Sequence, residues 1–383
     1  MASATDVPRS RPAIASLTGI RALAAFLVLF LHADQNIPVG LQSIGVVAHG
    51  YLGVDLFFLL SGFILTYVYF ESMQQPTARA FAIFMWHRFI RLYPVHIAVL
   101  TALVAVVFSA GKLGLNLRSP EAFMFSELPW QLLLVHAWGV TDQVSWNVPS
   151  WSISAEWFAY LCFPLVAAGL GRVREPRILL LIAAVSLGTA AIIFAMAGWG
   201  LSGAWIAPSA LVRIAGSFVC GAALCRYATL RQALESKSAL NDALAIIALL
   251  AFLVGSSFAV PDFALIGLLA IFIGTLAMSS GVAARLFSLA PLVWLGEISY
   301  SLYMVHFPLL RALNIVLKPE RLQAMGPVAA IAAYGLSIAV CVGCAGLLYY
   351  LVERPLRVRL RNAVGVIPLA VAAPASTIAA KSV

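Results

Sequence analysis

The stretch 15-ASLTGIRALAAFLVLFLHA-33 is apolar enough to form a membrane helix, yet it carries Arg21 and His32. Eleven residues make about three helical turns, so a helix puts both side chains on one face, roughly 16 Å apart along its axis. That is about half the hydrocarbon thickness of a bilayer. An arginine near the middle of a span costs about 2.5–3.5 kcal/mol on insertion scales, and such residues usually face a bundle interior or a water-filled pathway. The pair then reads as a guanidinium deep in one leaflet and an imidazole toward the opposite face, both lining one cavity. The competing reading is that Arg21 snorkels and His32 is interfacial.

Composition agrees with a membrane location. Of 383 residues, 62% are hydrophobic and 10% charged, and the mean hydropathy is +0.98. These values describe a polytopic, all-α membrane protein and exclude an ordinary soluble domain. The net charge of +9 does not point to nucleic acid, because the cations gather at the ends of apolar segments. Ten spans are predicted, at about 15–33, 51–70, 82–109, 152–171, 177–197, 208–226, 239–257, 262–280, 291–316 and 327–352. With the N-terminus inside, 17 of the 24 Lys and Arg fall on the inner side, including Arg79, Arg88 and Arg91, against 4 on the outer side. That asymmetry places both termini in the cytoplasm. Residues 1–360 read as one integral-membrane domain and 361–383 as a loose cytoplasmic tail. The first stretch is too long for a signal-peptide core and reads as an uncleaved helix. Cys162, Cys220, Cys225, Cys341 and Cys344 all fall in apolar segments, and Cys341-x-x-Cys344 reads as helix packing. No metal-ligand set has convincing spacing. The loop 110–150, with Trp130, Trp138 and Trp146, is placed to cap the outer mouth.

Topology gives the polar residues sides. Asp55, in 51-YLGVDLFFLLSGFIL-65, lies at a depth comparable with His32. A carboxylate beside an imidazole would fix its tautomer and raise its basicity, as a general base needs. Asp55 is equally readable as a charge at a helix N-terminus. Ser61-Gly62 lets another backbone approach closely. Arg88 and Arg91, in 84-FMWHRFIRLYP-94, share a helix face at a helix start, which suits a phosphate. Positive-inside anchoring is the plainer alternative. Tyr93-Pro94 follows and predicts a bend. In 149-PSWSISAEWFAY-160, Glu156 lies two turns inside, with Ser152 on the same face. In 295-LGEISYSLYMVHFP-308, Ser299, Tyr303 and His306 share a face at i, i+4, i+7 spacing.

Taken together these motifs resemble the integral-membrane acyltransferase 3 family, which O-acylates cell-surface and secreted glycans. The resemblance rests on Arg21-x10-His32, GVDLFFLLSGF, Arg88-x-x-Arg91 before Leu92-Tyr93-Pro94, WSISAEWFAY, LGEISYSLYMVHFP and Glu353-Arg354-Pro355-x-Arg357. Six motifs in order cover residues 15–357. The resemblance implies that Arg21 and His32 are essential, that Arg88 and Arg91 serve an acyl-CoA donor, and that the Ser61-Gly62-Phe63 motif is functional. Two positions depart from the family pattern. Trp157 replaces a second acid, which weakens any two-carboxylate scheme, and His87 replaces an arginine. Some members of that family carry a fused extracytoplasmic hydrolase-like domain. None is expected here, so the chain would complete transfer itself or hand the group to a separate protein.

The expected chemistry follows. No cofactor is held tightly; cytosolic acetyl-CoA is a co-substrate, held by Arg88, Arg91 and Ser61, with its arm along a cavity lined by Arg21. His32 is the general base, oriented by Asp55. Trp151, Glu156, Tyr303 and His306 line the side of the acceptor, a sugar hydroxyl of an exopolysaccharide, lipopolysaccharide or related envelope glycan, or of a lipid-linked oligosaccharide. Direct attack and a transient acyl-enzyme both remain open. The expected setting is the inner membrane of a bacterium, among membrane lipid and envelope-glycan assembly proteins. Two other classes suit parts of the pattern. A transporter of an anionic or proton-coupled solute also needs buried Arg, His and Glu, but consumes no acyl-CoA. A non-catalytic scaffold would tolerate loss of Arg21 or His32.

Overall fold

The computed structural model describes residues 14–114, 120–232 and 238–362. The expected tail lies outside the described residues from 363 onward. So do Arg9, Arg11, Arg118, Lys237 and Lys381 of the charge count. Among the described residues there is no strand. Ten apolar helices follow the ten predicted spans. They are α1 (Ala15–Asn36), α2 (Gly53–Met73), α3 (Ala78–Lys112), α4 (Ser150–Gly171), α5 (Pro176–Ala197), α6 (Ser209–Gln232), α7 (Ser238–Gly255), α8 (Asp262–Leu276), α9 (Ala290–Leu317) and α10 (Pro327–Leu348). A short basic helix, α11 (Arg354–Asn362), ends the described chain. Eight of the ten are long and apolar enough to cross a membrane; α7 and α8 are shorter.

The difference at α8 has a local cause. The span predicted over 262–280 stops at Leu276, because Asp242 of α7 gathers the polar groups that follow. Its carboxylate accepts from Ser279 Oγ at 2.7 Å and from the amides of Val282 and Ala283 at 2.8 and 3.0 Å. Those amides open a short helix, Val282–Phe287, so Asp242 satisfies orphan donors at a helix start. At α3 the predicted bend does not end the helix. Pro94 lies inside it, and the helix runs on to Lys112.

Small residues set how closely the helices approach. Gly62 of α2 and Gly221 of α6 face each other's helix. A Cβ on Gly62 would collide with the Phe218 carbonyl, and one on Gly221 with the Leu59 carbonyl. Gly296 of α9 meets the Thr18 carbonyl of α1 in the same way. Lipid tails give helices no hydrophobic reason to associate, so close backbone approach and buried polar contacts supply the attraction. These two crossings hold α1, α2, α6 and α9 around one interior. The connection before α4 is tied to one end of that interior. Asn147 donates to the Met304 carbonyl of α9 at 3.0 Å, and the Pro149 carbonyl accepts from Tyr303 Oη at 3.1 Å.

The crossing of α2 and α6 yields a test. Gly221→Ala should lower the thermal midpoint of the detergent-purified protein, equivalent to about 1–3 kcal/mol of overpacking. Gly343→Ala, where an added methyl meets nothing within 4 Å, should leave it unchanged or slightly raised. The check is fluorescence-detected size exclusion across a temperature series; equal midpoints would mean that this crossing tolerates a methyl.

Candidate active site

A cavity of about 160 Å³ opens between α1, α2, α3, α4 and α9. Arg21, Ser61, Arg88, Arg91, Glu156 and Tyr303 all line it, drawn from five helices. Ser152, Tyr160 and Tyr300 complete its polar part, and Phe57, Phe58, Ile64 and Leu92 are among its apolar walls. Along α2 it extends from Val54 to Leu65, eleven residues or roughly 16 Å.

The three cations of the cavity are held very differently. Arg91 pairs with Glu353, which is buried, and lies 5.2 Å from the centre of the Tyr300 ring. Glu353 also accepts from Ser301 Oγ at 2.7 Å and from Arg357 at 3.5 Å. Arg88 sits over the rings of Tyr69 and Tyr160, at 5.3 and 5.8 Å, and reaches Tyr69 Oη at 3.4 Å. Its Nε is buried without a hydrogen-bond partner. Arg21 makes no hydrogen bond to the described residues. The charges that act on it are those of Arg91, Glu353, Arg357 and Glu156. Also in the cavity wall, Ser61 Oγ donates to Glu156 at 2.5 Å. Cations thus outnumber carboxylates along the walls, and Arg21 is the cation left open to a ligand. A planar guanidinium without a protein partner is suited to a phosphate or a carbonyl.

His32 is not a wall of this cavity. It lies nearer the C-terminal end of α1 and is partly exposed. His32 Nδ1 is 2.9 Å from the Val28 carbonyl and 3.1 Å from Nε2 of His306. His306 is buried; its Nδ1 is 2.7 Å from the Tyr303 carbonyl. Tyr303 lines the cavity, touches the His306 ring at 5.7 Å between centres, and receives a hydrogen bond from Ser152 at 2.8 Å. The imidazole pair therefore adjoins the cavity through Tyr303.

Besides His32 and His306, which were expected to line the cavity and instead adjoin it, two further expected placements differ. Asp55 does not meet His32. It is fully buried and gripped by Arg213 of α6, with Arg213 Nε at 3.1 and 3.2 Å from its two oxygens and Nη2 at 2.6 Å. Ser217 adds a bond at 3.4 Å. The reason is electrostatic: a carboxylate in low dielectric takes a full, bidentate cation in preference to a neutral imidazole. Trp151 is not a cavity wall either. Its ring covers Arg213 at 5.2 Å and meets Phe58 edge-on. It belongs to the same brace.

Sequence reading assigned no role to Arg213, Glu353, Tyr69, Tyr160 or Tyr300. A signal existed for Arg213, because an unpaired cation inside a span demands an anion and Asp55 was equally unpaired. For Glu353 the signal was only the Glu-Arg-Pro motif. The chain there widens into a π-turn over Tyr349–Glu353, which carries Glu353 to Arg91 and is invisible to helical periodicity. Among the described residues no group of acidic, His or Cys side chains is arranged to hold a metal.

A family model described as an acyltransferase domain matches residues 14–348. The acyltransferase MdmB of Streptomyces mycarofaciens is 28% identical over 89% of this chain and 90% of its own length. The peptidoglycan O-acetyltransferase OatA of Listeria monocytogenes is 26% identical over 81% of this chain. The O-acetyltransferase OatA of Staphylococcus aureus is 23% identical over 80%. The match covers about half of each OatA, 51% and 52%. No solved structure matches the chain.

The Asp55–Arg213 pair is open to a double-mutant cycle. Removing one partner of a buried pair costs about 3–5 kcal/mol. Asp55→Leu and Arg213→Met should each sharply lower folded yield and thermal midpoint, and the double variant should recover much of the loss. Additive losses, measured on detergent-purified protein, would mean that the two residues do not depend on each other.

Proposed function

Because the chain belongs to the acyltransferase 3 family, we propose that it transfers an acetyl group from acetyl-CoA to a sugar hydroxyl of an envelope glycan. That it is a multi-pass membrane acyltransferase follows from the family match over residues 14–348 and from its eight long apolar helices. Donor, acceptor and sidedness are the proposed part. The O-acetyltransferase names of the OatA relatives support the acetyl group and a glycan acceptor.

The observation that carries the donor is a separation. Arg21 and His32 stand eleven residues apart on one helix, roughly 16 Å along its axis. No single small group touches both. A donor with an anionic end and a long flexible arm does, and a coenzyme A thioester has that shape. Its phosphates lie toward Arg21 and Arg88, with Arg91 shared with Glu353, and the arm passes Ser61 and the apolar walls. The thioester arrives beside Tyr303 and His32. His32 takes the proton of the acceptor hydroxyl. The hydroxyl oxygen bonds to the acyl carbon, the carbon–sulfur bond breaks, and the proton returns to the departing thiolate. The 17-to-4 distribution of Lys and Arg supports donor entry from the cytoplasm and an acceptor on the other face of a bacterial inner membrane. Residues 1–360 form the acyltransferase domain in this reading, and 361–383 a cytoplasmic tail.

Two variants separate binding from chemistry. His32→Ala should lower acetyl transfer by about 10²–10⁴-fold, the usual contribution of a general base, while still binding labelled acetyl-CoA. Arg21→Ala should lose the binding itself. Mass spectrometry of envelope glycan and a ligand-binding assay on purified protein read the two effects. Near-normal acetylation in His32→Ala removes His32 as the base; unchanged donor binding in Arg21→Ala removes the anion site.

A further inference from the structure

We infer that His306 is a positioning residue, which fixes the tautomer of His32 and so presents His32 Nε2 as the basic nitrogen. The inference rests on His32 being the general base. It assigns His306 to the base rather than to the acceptor.

The assignment follows from what each neighbouring atom can do. A carbonyl oxygen only accepts. The Tyr303 carbonyl, 2.7 Å from His306 Nδ1, therefore requires a proton on that nitrogen. In a neutral His306 the other nitrogen, Nε2, then carries a lone pair. His32 Nδ1 faces that lone pair at 3.1 Å and the Val28 carbonyl at 2.9 Å. Both are acceptors, so His32 Nδ1 carries a proton shared between them. The reverse arrangement, with the proton on His306 Nε2, would turn two lone pairs onto two carbonyl oxygens. One assignment satisfies every contact of the neutral pair. It leaves the lone pair of His32 on Nε2. That atom makes no hydrogen bond to the described residues and is not among their buried unpartnered atoms.

The surroundings hold this arrangement in place. His306 is 1% exposed, its ring lies against Tyr303 at 5.7 Å and Phe307 at 6.5 Å, and the His32 ring meets Phe307 edge-on at 5.4 Å. When His32 takes a proton, its Nδ1–H already points at two acceptors, so no group has to turn. The nearby carboxylate that might have done this work, Asp55, is committed to Arg213. His306 thus does for His32 what a carboxylate does in a serine-hydrolase triad, orienting the ring and selecting its tautomer.

Isosteric amides test this directly. In His306→Gln the side-chain oxygen can occupy the position of Nε2 and accept from His32. In His306→Asn the polar group sits at the position of Nδ1 and falls short. His306→Gln should keep kcat within about tenfold of the parent, whereas His306→Asn and His306→Leu should lose about 100-fold or more, with KM for acetyl-CoA unchanged. Combined with His32→Ala, His306→Leu should have no further effect. Should His306→Leu misfold, the Gln and Asn variants, of similar polarity, still decide the matter. Equal activities for Gln and Asn, a KM change in place of a kcat change, or a fully active His306→Leu overturns the inference. His32→Ala, assayed in parallel, tells this failure apart from failure of the base: an inactive His32→Ala beside an active His306→Leu sinks only the role of His306.

Discussion

A positive charge in hydrocarbon must be answered, and the interior of this protein is arranged around how each of four arginines is answered. Arg213 has Asp55, Arg91 has Glu353, and Arg88 has the faces of Tyr69 and Tyr160. Arg21 has no hydrogen-bonding partner among the described residues. The first three contacts join α2 to α6, α3 to the turn beyond α10, and α3 to α2 and α4. They fix the walls of the cavity while leaving Arg21, on α1, without a hydrogen bond to the described residues. An isolated arginine costs a few kcal/mol to insert. Its retention without a partner is understandable if an anionic ligand completes the site.

The same constraint explains which parts of the site were legible in the sequence. The helices were, because apolar runs of membrane-spanning length leave little choice of structure. The gathering of Arg21, Arg88, Arg91, Ser61, Glu156 and Tyr303 was foreshadowed by their helical faces. The partners were not. Asp55 and Arg213 are separated by 158 positions, and nothing local tells a buried carboxylate to prefer a distant guanidinium to an imidazole at its own depth. Glu353 depends on a π-turn, which shifts the register of a helix by an amount that periodicity does not report. The early end of α8 depends on Asp242, a side chain on the preceding helix.

Exchanging Asp55 for His306 as the neighbour of His32 changes the chemistry expected of the site. A carboxylate would have placed a permanent negative charge beside the base. In the proposed arrangement a second neutral imidazole orients the base without adding net charge to an interior where Arg213, Arg91 and Arg88 are already countered and Arg21 awaits an anion. It also sets the base on α1 against α9, and the crossing of these helices at Gly296 and Thr18 becomes part of the alignment. Tyr303 joins the two halves: its carbonyl holds His306, while its ring and hydroxyl belong to the cavity wall.

The central proposal is that the donor's anionic end lies at Arg21 in the cavity and the acyl-accepting end at His32, which adjoins the cavity through Tyr303, so that the acyl group crosses while the carrier stays behind. Sealed proteoliposomes test it most directly. Acetyl-CoA carrying labelled acetyl is enclosed, a glycan acceptor is added outside, and the label on the external glycan is followed over time. The predicted result is labelled glycan outside with free coenzyme A retained inside. Labelled product that forms only when donor and acceptor share one compartment would contradict the claim.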